Sequence, residues 1–274
     1  MSNWQAERME PFRISPLGWG LVALRGGALA VVTYGCLLLF LLVRLVERPL
    51  FGLSRPVTPR ITQFVCRAGL FIMGFRYKLT GRPMAEPGAI VANHVGWLDI
   101  FSLNAADRVY FVSKDDVAGW PGIGILARVT GTVFITRKST EAKRQQEMME
   151  ERLRAGHRLL FFPEGTSTDA IHMLPFKTPL FQAFFTHGME RVMHIQPVTV
   201  ISEAPPGRDR RYYGWWGDMS FAGHLLQVLA TPRQGRIEVI FHPPVPVDGF
   251  ADRKQLAAYC ERVIRTAHPH VGAE

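Results

Sequence analysis

His94 and Asp99 are the residues of this chain whose types and spacing most readily support chemistry. A short apolar run, Ala89 to Ala92, reads as a buried strand that ends at Asn93. Five residues apart, His94 and Asp99 would diverge around a single helix, where facing neighbours lie three or four apart. The pair makes sense with His94 on a loop and Asp99 in the first turn of the helix that follows, folded back towards it. A carboxylate accepting from one imidazole nitrogen sets the tautomer and leaves the other nitrogen to take a proton. That is the base and its orienting group from a triad, without a serine. Taken alone, the pair reads equally as an ordinary histidine ahead of a helix with a solvated first-turn aspartate.

Three further segments carry candidate groups. In Gly131-Thr132-Val133-Phe134-Ile135-Thr136-Arg137, a strand delivers Arg137, whose guanidinium suits a phosphate or carboxylate. In Phe162-Pro163-Glu164-Gly165-Thr166, glycine permits close backbone approach, and Glu164 and Thr166 offer hydrogen bonds. Lys177 follows as a second cation near the same sheet end. Pro197, inside the apolar run Ile195 to Val198, removes a ladder donor, so that strand is expected to be edge-like or broken.

The elements that must position these groups follow from the pattern of the chain. Its 274 residues carry 32 Lys and Arg against 23 Asp and Glu, a net charge of +9 that suits anionic membranes or an acidic partner protein. No Lys/Arg tract, zinc spacing or nucleic-acid motif accompanies that charge, so no nucleic acid is expected. Cys36, Cys66 and Cys260 are far apart and read as buried thiols. Met1 to Pro16 is polar and expected to be poorly ordered. Gly18 to Val43 reads as a membrane segment whose only charge is Arg25, followed by an arginine-rich flank; a signal peptide and a buried soluble helix are the rival readings. Ile61 to Phe75, interrupted by Arg67, reads as an interfacial or re-entrant helix.

From Tyr77 short apolar runs alternate with helical stretches, the rhythm of an α/β domain. Strands are expected at Ala89–Ala92, Val109–Ser113, Thr132–Ile135, Leu159–Phe162, His194–Ile201 and Arg236–Phe241. Helices are expected at Gly122–Val129, from a Ser139 N-cap to about Ala155, at Met219–Ala230 and at Ala251–Ala267. Two regions result: residues 1–80, a membrane anchor with an interfacial helix, and residues 81–274, a catalytic domain.

In order and spacing the four segments resemble the glycerolipid acyltransferase family that includes bacterial 1-acylglycerol-3-phosphate acyltransferases. The matching stretches are His94 to Asp99, Gly131 to Arg137, Phe162 to Thr166 with Phe176-Lys177, and Gln196-Pro197-Val198. Ser167 stands where many members carry arginine. The resemblance implies an α/β fold with a mostly parallel sheet flanked by helices, preceded by a membrane-binding helical region. It implies acyl transfer from an acyl carrier protein or coenzyme A thioester to a lysolipid hydroxyl, with no metal and no other cofactor. His94 would be the base and Asp99 its orienting group. Gly131, Phe134, Arg137, Glu164, Gly165, Thr166 and Lys177 would shape the acceptor site. The expected place is the inner membrane, with the catalytic domain on the cytoplasmic side.

The expected acceptor is 1-acylglycerol-3-phosphate; the alternative is lyso-ornithine lipid, a phosphate-free aminolipid, and a non-catalytic membrane adaptor is a third reading. The run Tyr212-Tyr213-Gly214-Trp215-Trp216-Gly217-Asp218 suits packing or a headgroup contact. A serine hydrolase lacks its Gly-x-Ser-x-Gly elbow here, and His172, His187 and His194 lack metal-ligand spacing.

Overall fold

The structure, a computed structural model, describes residues 4, 6, 7, 12–120, 122–136, 139–186 and 188–270. Among the described residues, eight strands form one sheet: β1 (Arg76–Thr80), β2 (Gly88–Ala92), β3 (Tyr110–Lys114), β4 (Val133–Ile135), β5 (Leu159–Phe161), β6 (His194–Glu203), β7 (Arg236–Phe241) and β8 (Val245–Pro246). The order is β1-β7-β6-β2-β5-β3-β4, with β8 beside β6. The five strands from β6 to β4 run parallel, while β7 lies antiparallel to β6. Central β2 is buried along its whole length. Its Ala89 and Val91 pack on one face with Leu153, Leu256 and Ile264, and Ile90 and Ala92 on the other with Leu103 and Val109. Burial on both faces explains why the strand reads as unbroken apolar sequence.

Among the described residues, seven α-helices accompany the sheet: α1 (Pro16–Phe51), α2 (Thr58–Met73), α3 (Leu98–Ala106), α4 (Ile123–Thr130), α5 (Ala142–Arg154), α6 (Phe221–Ala230) and α7 (Arg253–Ala267). These and the strands match the expected elements to within a few residues, apart from β1 and β8, which were not anticipated, and the long extension of α1. Ser139 does not cap α5; it opens a short 3-10 turn, Ser139–Glu141, and the helix proper starts at Ala142.

The apolar N-terminal segment is longer than expected, since α1 continues eight residues past Val43 to a total of 36, about 54 Å. Arg25 donates to the carbonyls of Leu229 and Thr231 at 3.1 and 2.6 Å, satisfying the open end of α6. At the other end, buried Glu47 accepts the N–H groups of Val57 and Thr58 and the Thr58 hydroxyl, and so caps α2. Arg67, which interrupts the second apolar patch, donates to Ala105 O at 2.8 Å and closes the end of α3. Both arginines are thus helix-end partners. The outward face of α1, with Leu24, Val31, Tyr34, Leu38 and Leu45, is exposed and apolar, and Phe64 and Phe71 of α2 are exposed too.

Where the structure describes the first residues, Trp4 stacks on His172 at 5.0 Å, Glu7 pairs with Arg211, and Phe12 meets Tyr212 edge-on. A division after residue 80 separates β1 from the sheet it belongs to, since Arg76 to Thr80 pair with Arg236 to Ile240.

The proline strand is edge-like only at Pro197, and it is not broken there. β6 is an interior strand, ten residues long and unbroken. β8 pairs with its His194 and Ile195, and β7 with Val198 to Glu203. Pro197 falls between them. Its carbonyl accepts the His242 N–H at 3.1 Å, and the return bond that its missing N–H cannot give to the His242 carbonyl is made by Gln196 Nε2 at 2.8 Å.

Candidate active site

His94 stands two residues beyond the end of β2, and Asp99 is the second residue of α3. Asn93 turns the chain out of the sheet by exchanging two hydrogen bonds with the Val200 backbone at 2.9 and 2.7 Å. His94 Nδ1 lies 2.7 Å from Asp99 Oδ2. The same oxygen accepts the N–H groups of Val95 and Gly96, at 2.7 and 3.0 Å. Asp99 is 0% exposed, and an acceptor-only carboxylate there requires Nδ1 to carry the proton. Nε2 is left as the basic nitrogen. The ring is stacked on Phe162 at 4.0 Å, and about a fifth of the side chain remains open.

The backbone of His94 is held by the loop after β5. Its N–H donates to Glu164 Oε1 at 2.7 Å, and its carbonyl accepts from the N–H and hydroxyl of Thr168 at 2.9 and 3.1 Å. Glu164 Oε2 accepts the Leu174 N–H at 2.7 Å. Burial pushes the Glu164 carboxyl up to about 8, against the opposing pull of these two N–H groups.

His94 opens onto a cavity of about 740 Å³ at the C-terminal ends of β5, β3 and β4. Gly165, Thr166 and Lys177 line it, as expected of acceptor-site residues. Gly165 has φ +74°, and a Cβ there would come within 2.9 Å of Lys177 Nζ, so the glycine lets the lysine lie across the loop.

Three expected members are elsewhere. Glu164 is 0% exposed and its oxygens are taken by backbone, so it supports His94 instead of facing the cavity. Gly131 caps α4 at the opposite end of β4, where Arg152 donates to its carbonyl at 2.8 Å. Phe134 is not among the lining residues; strand alternation gives that face to Ile135. Arg137 lies outside the described residues.

The aromatic run divides its duties. Tyr212 and Tyr213 are core residues, their hydroxyls bonded to Thr231 and Gln234, whereas Trp215 and Trp216 line the cavity. Ser167 donates to the Trp215 carbonyl, and Trp215 N–H is shared by the carbonyls of Val95 and Thr168. Asn93 and Thr168 were missed as supports, because a single polar residue near a strand end carries no signal of a partner in another loop.

A family model described as Acyltransferase matches residues 76–201. The chain is 60% identical to a lyso-ornithine lipid O-acyltransferase of Rhodobacter capsulatus over 96% of both chains. It is 38% identical to a 1-acyl-sn-glycerol-3-phosphate acyltransferase of Neisseria gonorrhoeae over 39% of this chain and 44% of the relative. The solved 1-acyl-sn-glycerophosphate acyltransferase of Thermotoga maritima has the same fold, with a TM-score of 0.66 at 20% identity over 94% of this chain and 97% of that one. The Acyltransferase match over residues 76–201 and a relative 60% identical along 96% of both chains place this protein in the glycerolipid acyltransferase family.

Proposed function

We propose that the protein acylates the free hydroxyl of lyso-ornithine lipid, taking the acyl group from a carrier-protein or coenzyme A thioester. The observation that carries the reaction type is the His94–Asp99 pair, its free imidazole nitrogen open to a large cavity. In acceptor, this puts the aminolipid ahead of the expected 1-acylglycerol-3-phosphate. Likeness along 96% of both chains supports it, whereas the phosphate-acceptor relative is matched over 39% of this chain.

His94 Nε2 takes the hydroxyl proton as the oxygen attacks the thioester carbonyl carbon. Collapse of the tetrahedral adduct breaks the carbon–sulfur bond, and the imidazolium returns its proton to the departing thiolate. Asp99 stabilises the imidazolium in between. Base catalysis of this kind contributes about 10²–10⁴-fold, and alignment of the two substrates adds to it. In the loop after β5, the N–H groups of Gly165 and Thr168 are spent on Phe162 and His94 carbonyls. Those of Thr166 and Ser167 are the candidates to hold the oxyanion.

The exposed apolar face of α1, with Phe64 and Phe71, enters the membrane in this reading. Arg25 and Glu47 bond the two ends of the segment to the rest of the protein, and α1 is long and apolar enough to cross a membrane. The arginines after Val43 suit the anionic headgroups of the cytoplasmic face of the inner membrane, where this reading puts the catalytic unit.

The test is acyl transfer from a labelled carrier-protein thioester by membranes carrying the protein, with lyso-ornithine lipid and lysophosphatidic acid offered in parallel and His94→Ala as the blank. Label in ornithine lipid, lost in the blank, supports the proposal. Label only in phosphatidic acid replaces the acceptor, and label in neither supports a non-catalytic role.

A further inference from the structure

The cavity carries more than the dyad. Three strands side by side, β2, β5 and β3, deliver three different groups to it. His94 follows β2. Lys177 lies against Gly165, which follows β5. Asp116 stands two residues beyond the end of β3. Adjacent strands are about 4.8 Å apart, and the loops that hold base, cation and carboxylate follow one another in that strand order.

Asp116 is the only carboxylate among the described residues that line the cavity, beside the cations Lys114, Lys177 and Arg253. It makes no ion pair with any described residue. A phosphate headgroup gains nothing from a carboxylate at that place and is repelled by it. An ornithine that is N-acylated by a hydroxy fatty acid presents hydroxyl, carboxylate and side-chain ammonium, in the same order as His94, Lys177 and Asp116.

We infer that Asp116 is a specificity residue that receives the ammonium group of a zwitterionic acceptor, while Lys177 receives its carboxylate. The inference rests on the lyso-ornithine lipid reading. It assigns the preference for an aminolipid to attraction at one end of the headgroup and rejection of added negative charge at the same end.

The experiment uses the full chain and two synthetic acceptors, N-(3-hydroxyacyl)ornithine and N-(3-hydroxyacyl)norvaline, which differ in the terminal ammonium group. The quantity read is the ratio of their kcat/KM values. The wild type prefers the ornithine acceptor by about fivefold, the scale of a charge pair at a partly solvated site. In Asp116→Asn that preference falls towards unity through a higher KM for the ornithine acceptor, and Asp116→Glu restores it. Asp115→Asn, one residue away and outside the cavity lining, retains the wild-type ratio and controls for the charge of the turn. A preference that survives in Asp116→Asn overturns the inference and leaves the acceptor reading intact. A wild type that acylates neither aminolipid but acylates lysophosphatidic acid overturns the acceptor reading, and the inference with it.

Discussion

Glu164 Oε1 accepts the backbone N–H of His94 at 2.7 Å, and through that bond the loop after β5 sets the position of the loop after β2. The two loops belong to neighbouring strands, paired from Ala89–Leu159 to Val91–Phe161. Strand register, the Glu164 bond and the two bonds from Thr168 thus all act on one residue. The base is built on the sheet, and little is left for the loop itself to decide.

Glu164→Ala leaves the N–H groups of half-buried His94 and Leu174 without acceptors. The expected cost is about 2–4 kcal/mol, or about 5–15 °C in melting temperature, with a fall in kcat as His94 shifts. Glu164→Gln, which keeps one acceptor, should lose less on both measures. Thermal melts followed by circular dichroism, beside single-acceptor kinetics, check this. An unchanged melting temperature in the alanine variant would contradict the support role.

His94→Ala is expected to lower acyl transfer by about 10²–10⁴-fold with the fold retained. Asp99→Asn places an amide donor against Nδ1, favours the wrong tautomer and should lower kcat by a similar factor. Asp99 also accepts two backbone N–H groups, so this variant alone should lose stability as well. Paired measurements of kcat and melting temperature separate the two effects.

Gly165→Ala forces a side chain into a left-handed backbone and against Lys177. The strain is about 1–2 kcal/mol, and displacement of the ammonium group should raise the KM for the acceptor while leaving His94 in place. A rise in KM with little change in kcat is the expected result from initial-rate kinetics.

Stability should respond to pH in two opposed ways. Burial, with Arg152 close by, holds His157 down to about 4, and burial holds His268 down to about 4 as well. Both values lie below the ordinary 6.5, so the unfolded chain takes up protons first, and stability falls as pH drops from about 6.5 to 4. Glu164 is raised from 4.5 to about 8, so its contribution is present at low pH and is lost as pH rises between those values. Between pH 5 and 7 the contributions partly cancel. Glu164→Gln should therefore steepen the loss of stability towards pH 5, and His268→Asn should make it shallower. Urea midpoints at the two pH values read both slopes.

The α/β rhythm and the dyad were legible because each rests on local pattern: apolar runs of strand length, and a His–Asp spacing that spans one loop-to-helix turn. The direction of Glu164 was not. A carboxylate at a strand end can face a cavity or fold inward, and the choice depends on His94 and Leu174, 70 and 10 residues away. Gly131 and Phe134 misled for a related reason, since one end of a three-residue strand meets the cavity and the other does not. Arg25 and Arg67 read as interruptions of apolar helices. Their carbonyl partners on α6 and α3 supply what the sequence pattern lacked.

Pro197 has an effect on how the sheet can be assembled. Opposite His242 the missing donor is replaced by Gln196 Nε2, so the observed alignment leaves no acceptor stranded. A β7 shifted along β6 would set a different carbonyl against the proline, away from that side chain, so the pair Gln196 and Pro197 favours the register seen. Because β6 also pairs with β2 up to Ala92, that register bears on the strand from which the His94 loop leaves.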